Sequence, residues 1–290
     1  MHPLLEKLLS HTPVVTDGAW GTELTKRGLP PGEPPERWNL DRPEEVAAVA
    51  QGYVQAGSQV ILTNTFGANR FRLADYGLAD ELVTINRVGA KISLEAAGGK
   101  AYVFASLGPT GKMIFAGEIS PAEVIEAYRE QARVLAEAGV HGFVIETMSD
   151  VQEAQLALSG VKPLGLPIVV CMTFDTGPES DRTMMGVTPE EAAQILTESD
   201  ADAIGANCGT GIERFFNVLE RLKKGTNKPI WLKPNAGLPR IENGVAVYDA
   251  IPEDFAEKAV QLAHQGAAFI GGCCGTTPEF IRAINRRLGR

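Results

Sequence analysis

Two adjacent cysteines near the C-terminus have the residue types and surroundings expected of a reactive or metal-binding site. Cys273 and Cys274 follow the apolar pair Phe269-Ile270 and stand between Gly271-Gly272 and Gly275. Adjacent cysteines rarely form a disulfide with each other, because the loop between them is too tight for relaxed geometry. Successive side chains on a strand point to opposite faces, so both thiols reach one ion only if the backbone turns there. The flanking glycines permit such a turn through backbone angles that other residues avoid.

A third thiol, Cys208, ends another apolar run, 203–206, and is followed by glycine. Three thiolates and one open position are typical of a catalytic zinc site rather than a closed structural one. The alternative is that the cysteines are small buried hydrophobes, as free cysteine often is. That alternative is preferred for Cys171, which lies in the middle of an apolar run. Cys208, Cys273 and Cys274 lie at strand ends beside glycine and are predicted to bind a metal.

Eight short apolar runs rich in β-branched residues recur along the chain and are predicted to be the strands that position these thiols. They are Val14 to Asp17, Val60 to Thr65, Tyr102 to Gly108, Gly142 to Glu146, Ile168 to Phe174, Ala203 to Cys208, Ile230 to Asn235, and Phe269 to Cys273. Amphipathic segments lie between them, with capping-box signals at 41–44, 120–123, 150–153 and 188–191. Eight alternating units predict an α/β fold, a single (β/α)8 TIM barrel spanning residues 1–290.

The lengths of the predicted connections indicate which end of the barrel carries the site. Helix-to-strand connections are short, whereas four strand-to-helix connections are long, at 19–40, 109–119, 175–187 and 236–250. Barrel enzymes build their sites at the carboxyl ends of the strands. The polar residues predicted there are Asp17, Asn64, Thr65, Glu146, Cys208, Asn235, Cys273 and Cys274. Asp17 and Glu146 have a structural alternative, as buried carboxylates paired with an arginine of the barrel.

Composition points to a small-molecule partner. The 290 residues carry a formal net charge of -9, with a pI near 5.1, which argues against a nucleic-acid or anionic-membrane partner. Residues 1–10 include an acidic residue and predict a short helix rather than a signal peptide. No stretch approaches the ~20 apolar residues of a membrane span. Four cysteines without a disulfide-like pattern suit a reducing cytoplasm, so a cytoplasmic location is expected.

Six motifs distributed over essentially the whole chain together resemble the homocysteine S-methyltransferase family. They are Asp17-Gly18-Ala19, Thr63 to Asn69, Glu146-Thr147, Asn207-Cys208, Pro234-Asn235-Ala236-Gly237-Leu238-Pro239 and Gly271 to Gly275. The paired cysteines with the upstream Asn-Cys are the most specific of these. The stretch 234–239 is most similar to the homocysteine-binding barrel of cobalamin-dependent methionine synthase or to the enzymes that use S-methylmethionine.

The resemblance implies that Cys208, Cys273 and Cys274 hold Zn²⁺, with the sulfur of homocysteine as fourth ligand and methionine as product. No catalytic residue is implied beyond the metal. A free thiol has a pKa near ~8.5 and is mostly protonated at neutral pH, whereas a zinc-bound thiol is deprotonated. Zinc would therefore present a thiolate nucleophile to the methyl donor.

The resemblance also implies how the rest of the substrate is held. Glu146 and Asp17 would receive its ammonium group, and backbone amides around Thr65 and Gly108 its carboxylate. The implied substrate-binding residues are Asp17, Thr65, Gly108, Glu146 and Asn235.

The methyl donor is left open by the sequence. The Asp-x-His-x-x-Gly cobalamin signature is absent, so a separate corrinoid protein or a small molecule is expected to supply the methyl group. A methylcorrinoid is favoured over S-methylmethionine or betaine, because the aromatic residues available for a cationic donor, Trp20, Trp38 and Tyr248, are scattered. Two further alternatives are a transferase acting on another small thiol and a binding module in which zinc only stabilises the barrel.

Overall fold

An eight-stranded parallel sheet curls into a barrel at the centre of the computed structural model, which describes residues 2–242 and 245–290. Met1 and residues 243 and 244 of the long connection predicted at 236–250 lie outside this range. The strands are β1 (Val14–Val15), β2 (Val60–Leu62), β3 (Tyr102–Leu107), β4 (Gly142–Met148), β5 (Ile168–Met172), β6 (Ala203–Cys208), β7 (Ile230–Pro234), β8 (Arg240–Glu242), β9 (Val245–Val247) and β10 (Ala267–Ile270). All but β8 and β9 belong to the barrel, and those two form a separate antiparallel hairpin. The predicted TIM barrel is confirmed.

Helices cover the outside of the barrel and connect its strands. They are α1 (Pro3–Leu9), α2 (Gly21–Lys26), α3 (Trp38–Asp41), α4 (Pro43–Gln55), α5 (Arg70–Ala74), α6 (Leu82–Ala97), α7 (Pro121–Glu137), α8 (Val151–Val161), α9 (Pro189–Glu198), α10 (Phe215–Gly225), α11 (Pro252–His264) and α12 (Pro278–Arg287). Ser120 and Thr188 form the predicted capping boxes, and Asp150 caps α8 through its carboxylate alone. The box predicted at 41–44 is wrong, because Asp41 ends α3 and pairs with Arg37 instead. Among the described residues, no helix has the length and apolar character that crossing a membrane requires.

Alternate residues of each strand point into the barrel and determine which side chains reach its mouth. A layer of aromatic rings fills the middle, where Trp231 lies 4.8 Å from Phe269 and 6.2 Å from Phe104 between ring centroids. Leu5 and Leu8 of α1 join the same interior cluster, with Cys171. Because the side-chain period of a strand is two, the residues two positions beyond this layer form the next layer toward the carboxyl ends. The floor of the mouth is therefore apolar.

The seam between β1 and β2 closes the barrel largely through side chains. Backbone pairing there comprises a single bridge between Thr16 and Val60 and the bond from Gln59 N to Val15 O at 2.7 Å. The Gln59 side chain accepts from Val15 N at 3.0 Å. Further along, Asp17 Oδ2 accepts a hydrogen bond from Leu62 N at 2.7 Å. β1 ends at Val15, two residues earlier than predicted. The Asp17 carboxylate thus takes the place of a main-chain acceptor beyond the end of the strand.

Candidate metal and substrate site

Three thiols meet at the carboxyl end of the barrel. Cys208 Sγ lies 3.3 Å from Cys273 Sγ and 3.9 Å from Cys274 Sγ, and all three sulfurs lie within 4.8 Å of one another. Zinc–sulfur bonds of about 2.3 Å in a tetrahedral site put the sulfurs about 3.8 Å apart. Soft thiolate ligands suit zinc better than magnesium or calcium. The donor set and its spacing therefore fit a zinc ion with one position open.

Left-handed backbone turns bring the thiols together. Cys208 has a φ of 60° and Gly209 a φ of 73°, so the chain turns sharply as β6 ends. Gly275 has a φ of 83°, directly after the cysteine pair. A non-glycine residue with positive φ carries a conformational cost and is enriched at functional sites. The turn expected from the flanking glycines is present at Gly275.

Gly271 and Gly272 serve a different purpose from the one predicted. Neither has a positive φ in the described chain. A Cβ atom at Gly271 would lie 2.0 Å from Thr16 Oγ1, and one at Gly272 would lie 2.4 Å from Thr276 Oγ1. These positions need glycine because the neighbouring backbone and threonines approach too closely for any side chain. The close approach lets β10 deliver both cysteines to the barrel axis.

A cavity of about 440 Å³ opens at the thiols and extends between the strand-to-helix segments. The polar and charged side chains that line its inner part include Glu146, Lys233 and Ser106. Further residues of the lining are Trp20, Glu36, Thr63, Asn64, Phe66, Arg72, Tyr76 and Thr147. The cavity thus combines sulfur ligands, a carboxylate and an ammonium group above an apolar floor.

Glu146 is a buried carboxylate that points into this cavity. The register between β4 and β5 shifts between Ile145 and Met148, and such irregularities redirect side chains near active sites. Ser106 Oγ donates to Glu146 Oε1 at 2.5 Å, and Asn207 Nδ2 approaches Oε2 at 3.4 Å. Burial raises the pKa of Glu146 to about 7, although the nearby Lys233 ammonium opposes the rise. A second cation, such as a substrate ammonium, would favour the ionised carboxylate.

The Asn207 side chain lies between the Glu146 carboxylate and the Cys273 thiol. Its Oδ1 accepts from Thr147 N at 2.7 Å, while its Nδ2 donates to Thr147 Oγ1 at 2.7 Å and approaches Cys273 Sγ at 3.8 Å. Thr147 has a φ of 60°, unusual for a β-branched residue, and both hydrogen bonds hold it there. Asn207 therefore fixes the position of Glu146 relative to Cys273.

Asp17 and Lys233 form an ion pair inside the barrel. Lys233 Nζ donates to Asp17 Oδ1 at 2.5 Å, and their side chains are 2% and 0% exposed. Asp17 Oδ2 accepts from Trp20 Nε1 at 2.8 Å and from Leu62 N. Burial lowers the pKa of Lys233, but the charges of Asp17 and Glu146 more than compensate, so the pKa is raised overall. The Lys233 ammonium is therefore expected to be charged.

The sequence profile of the family described as homocysteine S-methyltransferase matches residues 14–288. The chain belongs to the homocysteine S-methyltransferase family. It is 30% identical to the methionine synthase of Mycobacterium tuberculosis, over 96% of this chain, and 31% identical to that of Mycobacterium leprae, over 99%. In each case it spans about a quarter of the relative's length, 25%.

A solved structure supports the fold of this family member. The metallated form of the Escherichia coli homocysteine methyltransferase MmuM has a TM-score of 0.82 to this chain, at 23% sequence identity. The match covers 98% of this chain and 99% of MmuM. The two chains share one barrel architecture over their whole lengths.

The residues that the family resemblance assigned to the substrate do not all reach the cavity. Of the five, Glu146 lines it, whereas Asp17, Thr65, Gly108 and Asn235 do not. Asp17 already accepts three hydrogen bonds, from Lys233, Trp20 and Leu62, which leaves little capacity for a substrate ammonium. Of the two carboxylates predicted to bind substrate, Glu146 is therefore the one that faces the cavity.

Three of these residues have structural partners at the edge of the site. The Gly108 amide donates to Phe66 O at 2.8 Å, so it is not free to bind the carboxylate as expected. Thr65 Oγ1 donates to Ser106 O at 2.9 Å. Asn235 Nδ2 donates to Gly209 O at 2.7 Å and supports the turn after Cys208, while its buried Oδ1 has no partner among the described residues.

Aromatic side chains of this homocysteine S-methyltransferase family member are less scattered than the sequence suggested. Trp20 lines the cavity with Phe66 and Tyr76, neither of which was among the predicted aromatic candidates for a cationic donor. Trp38 does not line it, being 4% exposed with the Arg42 guanidinium over its ring. Tyr248 packs so tightly on Gly275 that a Cβ there would lie 2.3 Å from its ring.

Sequence reasoning missed Lys233 and Ser106. A signal for both was present, because each lies two residues beyond a buried aromatic residue on its strand, Trp231 and Phe104. The period of two places them on the interior face, where a lysine needs a partner. Locating the register and the partner required the structure.

The raised pKa of Glu146 predicts a pH-dependent cost to stability. Between its ordinary value of 4.5 and about 7, the folded protein retains a proton at Glu146 that the unfolded chain has released. Stability contributed by this proton is therefore lost as pH rises through that window, by on the order of 3 kcal/mol. In urea unfolding of the metal-free protein, we expect Glu146→Gln to gain stability relative to wild type between pH 5 and pH 8. An identical pH dependence in both proteins would contradict the raised pKa.

Proposed function

We propose that this protein transfers a methyl group to the thiol of homocysteine, forming methionine, with a zinc ion held by Cys208, Cys273 and Cys274. The observation that carries the proposal is the group of three sulfurs within 4.8 Å at the mouth of the barrel, in one cavity with the buried Glu146. Bound zinc lowers the pKa of a coordinated thiol, so that it remains a thiolate at neutral pH. Family membership supports the same chemistry.

The chain's own residues orient the substrate. Glu146 accepts hydrogen bonds from the ammonium group of homocysteine, while Ser106 and Asn207 keep the carboxylate in place. The apolar layer below, with Trp231 and Phe269, excludes water from the base of the cavity. Holding the thiolate in one orientation lowers the entropic cost of the displacement at the methyl carbon.

We propose a methylcorrinoid, carried by a separate protein, as the methyl donor. Among the described residues, almost all exposed large apolar side chains lie in the segments between a barrel strand and the long helix that packs outside it: Phe66, Tyr76, Met113, Phe115, Met184, Met185, Leu238, Ile241 and Ile251. Val83, in α6, is the exception. Exposed apolar groups gathered at one end of a molecule are typical of interaction sites. Such a rim suits a protein that brings the methyl group to the open face of the cavity.

A second candidate donor is a small onium compound such as S-methylmethionine or betaine. Trp20, Phe66 and Tyr76 line the cavity, and aromatic faces attract such cations. Glu36 lines it as well, is 4% exposed and uses Oε1 to accept from Gly67 N at 2.6 Å. Its carboxylate provides a further attraction for a cation.

One parallel assay tests both the reaction and the donor. The zinc-loaded protein is incubated with homocysteine and, separately, methylcobalamin, S-methylmethionine, S-adenosylmethionine or betaine, and methionine is quantified. We expect methionine from methylcobalamin. Turnover confined to S-methylmethionine or betaine would rule out the corrinoid and favour the second candidate. Absence of methionine with every donor, in a protein that holds zinc, would favour the binding module in which zinc stabilises the barrel.

The thiol acceptor is tested in the same assay. Replacing homocysteine by cysteine or selenohomocysteine separates a homocysteine enzyme from a transferase of another small thiol. We expect homocysteine to be preferred to cysteine, because the family to which the chain belongs is described as homocysteine S-methyltransferase. A preference for cysteine would contradict the assignment.

A further inference from the structure

Lys233 is a buried cation with unused hydrogen-bonding capacity. Its side chain is 2% exposed, and an ammonium group has three donors. Among the described residues, Asp17 Oδ1 is the acceptor of one of them. Buried charged groups are normally saturated with hydrogen bonds, because unpaired donors lose their interactions with water. The two remaining donors indicate that a further acceptor binds there.

Asp17 holds the Lys233 ammonium in place but accepts a hydrogen bond from only one of its three donors. Its other oxygen already accepts from Trp20 Nε1 and Leu62 N. These contacts fix the Asp17 carboxylate, which in turn fixes the Lys233 ammonium at the cavity wall. The lysine therefore presents a positioned positive charge.

The position of Lys233 complements that of Glu146. Lys233 on β7 points inward two residues beyond Trp231, and Glu146 on β4 lies two residues beyond the interior residue Val144. Both line the cavity that contains Cys208, Cys273 and Cys274. Their charges influence each other, since Lys233 opposes the rise in the pKa of Glu146. The cavity thus offers a sulfur site, a site for a cation and a site for an anion.

We propose that Lys233 binds the α-carboxylate of the amino-acid substrate while Glu146 binds its ammonium group, so that the pair selects thiols that carry both. This inference rests on the proposed function and identifies the group that binds the carboxylate of the substrate. It differs from the expectation that backbone amides around Thr65 and Gly108 bind the carboxylate; of these, the Gly108 amide already donates to Phe66 O.

Arg72 is the other cation of the cavity lining and provides the matched comparison. Its side chain is 40% exposed and lies 3.7 Å from the Asp75 carboxylate. Solvent and this neighbour already stabilise its charge. A carboxylate gains more from a desolvated ammonium than from an exposed guanidinium, because screening is weaker inside the barrel.

Binding calorimetry on the zinc-loaded protein tests the assignment with homocysteine and with 3-aminopropane-1-thiol, which lacks the carboxylate. We expect wild type to bind homocysteine roughly 10- to 100-fold more tightly than the carboxylate-free thiol, the size of one charge-assisted hydrogen bond. Lys233→Met should remove most of this preference by weakening homocysteine alone. Arg72→Met should retain it. Zinc content is measured in every variant.

Each other result counts against the proposal in a distinct way. If wild type does not bind homocysteine at all, the proposed function itself fails. If wild type binds both thiols equally tightly, neither Lys233 nor any other group of the cavity binds the carboxylate. Equal weakening of both thiols by Lys233→Met would make the lysine a structural or thiolate-balancing charge, and loss of the preference in Arg72→Met would transfer the role to Arg72.

A second variant tests the proposal if Lys233→Met does not fold. Lys233→Met leaves the Asp17 carboxylate buried without its cation, which can prevent folding. The double variant Asp17→Asn/Lys233→Met removes both charges together. The proposal predicts that this variant, too, loses the preference for homocysteine over 3-aminopropane-1-thiol, and a retained preference overturns it.

Discussion

Replacing Cys273 by alanine is expected to abolish stoichiometric zinc binding and to lower methyl transfer by more than about 30-fold. A substrate thiol with a pKa near ~8.5 is only about 3% thiolate at pH 7, so loss of the metal alone removes roughly that factor. Cys273 Sγ lies 3.3 Å from Cys208 Sγ, so its loss breaks the group of three ligands. Atomic absorption on the purified protein and the methionine assay measure the two effects together.

Cys171 is the control for this experiment. It is fully buried in the barrel interior and is not part of the group of three thiols. Cys171→Ala is expected to keep zinc and activity, with a small loss of packing energy on the order of 1 kcal/mol. Zinc loss in Cys171→Ala, or full zinc in Cys273→Ala, would contradict the assignment of the ligands. A metal-free protein that unfolds would instead favour a structural role for zinc.

Replacing Glu146 by glutamine is expected to weaken homocysteine binding by roughly 1.5 to 3 kcal/mol with zinc content unchanged. The substitution keeps the size and the hydrogen bond with Ser106 but removes the charge that pairs with the substrate ammonium. Calorimetric titration of the zinc-loaded variant with homocysteine gives the affinity directly.

Glu153 offers the matched control for Glu146. It is 6% exposed, accepts from Thr110 N at 2.7 Å and does not line the cavity. Glu153→Gln removes an equally buried carboxylate from the same half of the barrel and is expected to leave homocysteine affinity unchanged. Unaltered affinity in Glu146→Gln, or an equal loss in both variants, would return Glu146 to a structural role.

The sequence predicted the barrel and the meeting of the three thiols because both depend on local patterns. Short apolar runs rich in β-branched residues and helix caps such as Ser120 specify the alternating elements. Parallel strands end at one face, so cysteines at strand ends converge without knowledge of the detailed packing. Cys208, Cys273 and Cys274 are found together for this reason.

The polar partners inside the barrel depend on register and distance, which the sequence does not contain. The ion pair between Asp17 and Lys233 joins residues 216 positions apart in the chain. The irregularity after Ile145 that accompanies the inward orientation of Glu146 has no signal in the amino-acid pattern. The same limit applies to positions 271 and 272. Only glycine fits there because Thr16 and Thr276 lie too close for a side chain, and this proximity is not visible in the sequence.

The hydrogen bond that Asp17 accepts across the β1–β2 seam links the stability of the barrel wall to the site. Asp17 supplies the acceptor for Leu62 N and, with its other oxygen, anchors Lys233. A substitution that removes the acceptor oxygen, such as Asp17→Ala, therefore weakens the hydrogen bonding between β1 and β2 and also alters the charge at the mouth, whereas Asp17→Asn keeps an acceptor for Leu62 N. Amide exchange at Leu62 would report the first effect separately from the second. A change in affinity caused by Asp17→Ala is thus the sum of a weakened seam and lost electrostatics, whereas Glu146→Gln leaves the hydrogen bond between Asp17 and Leu62 in place.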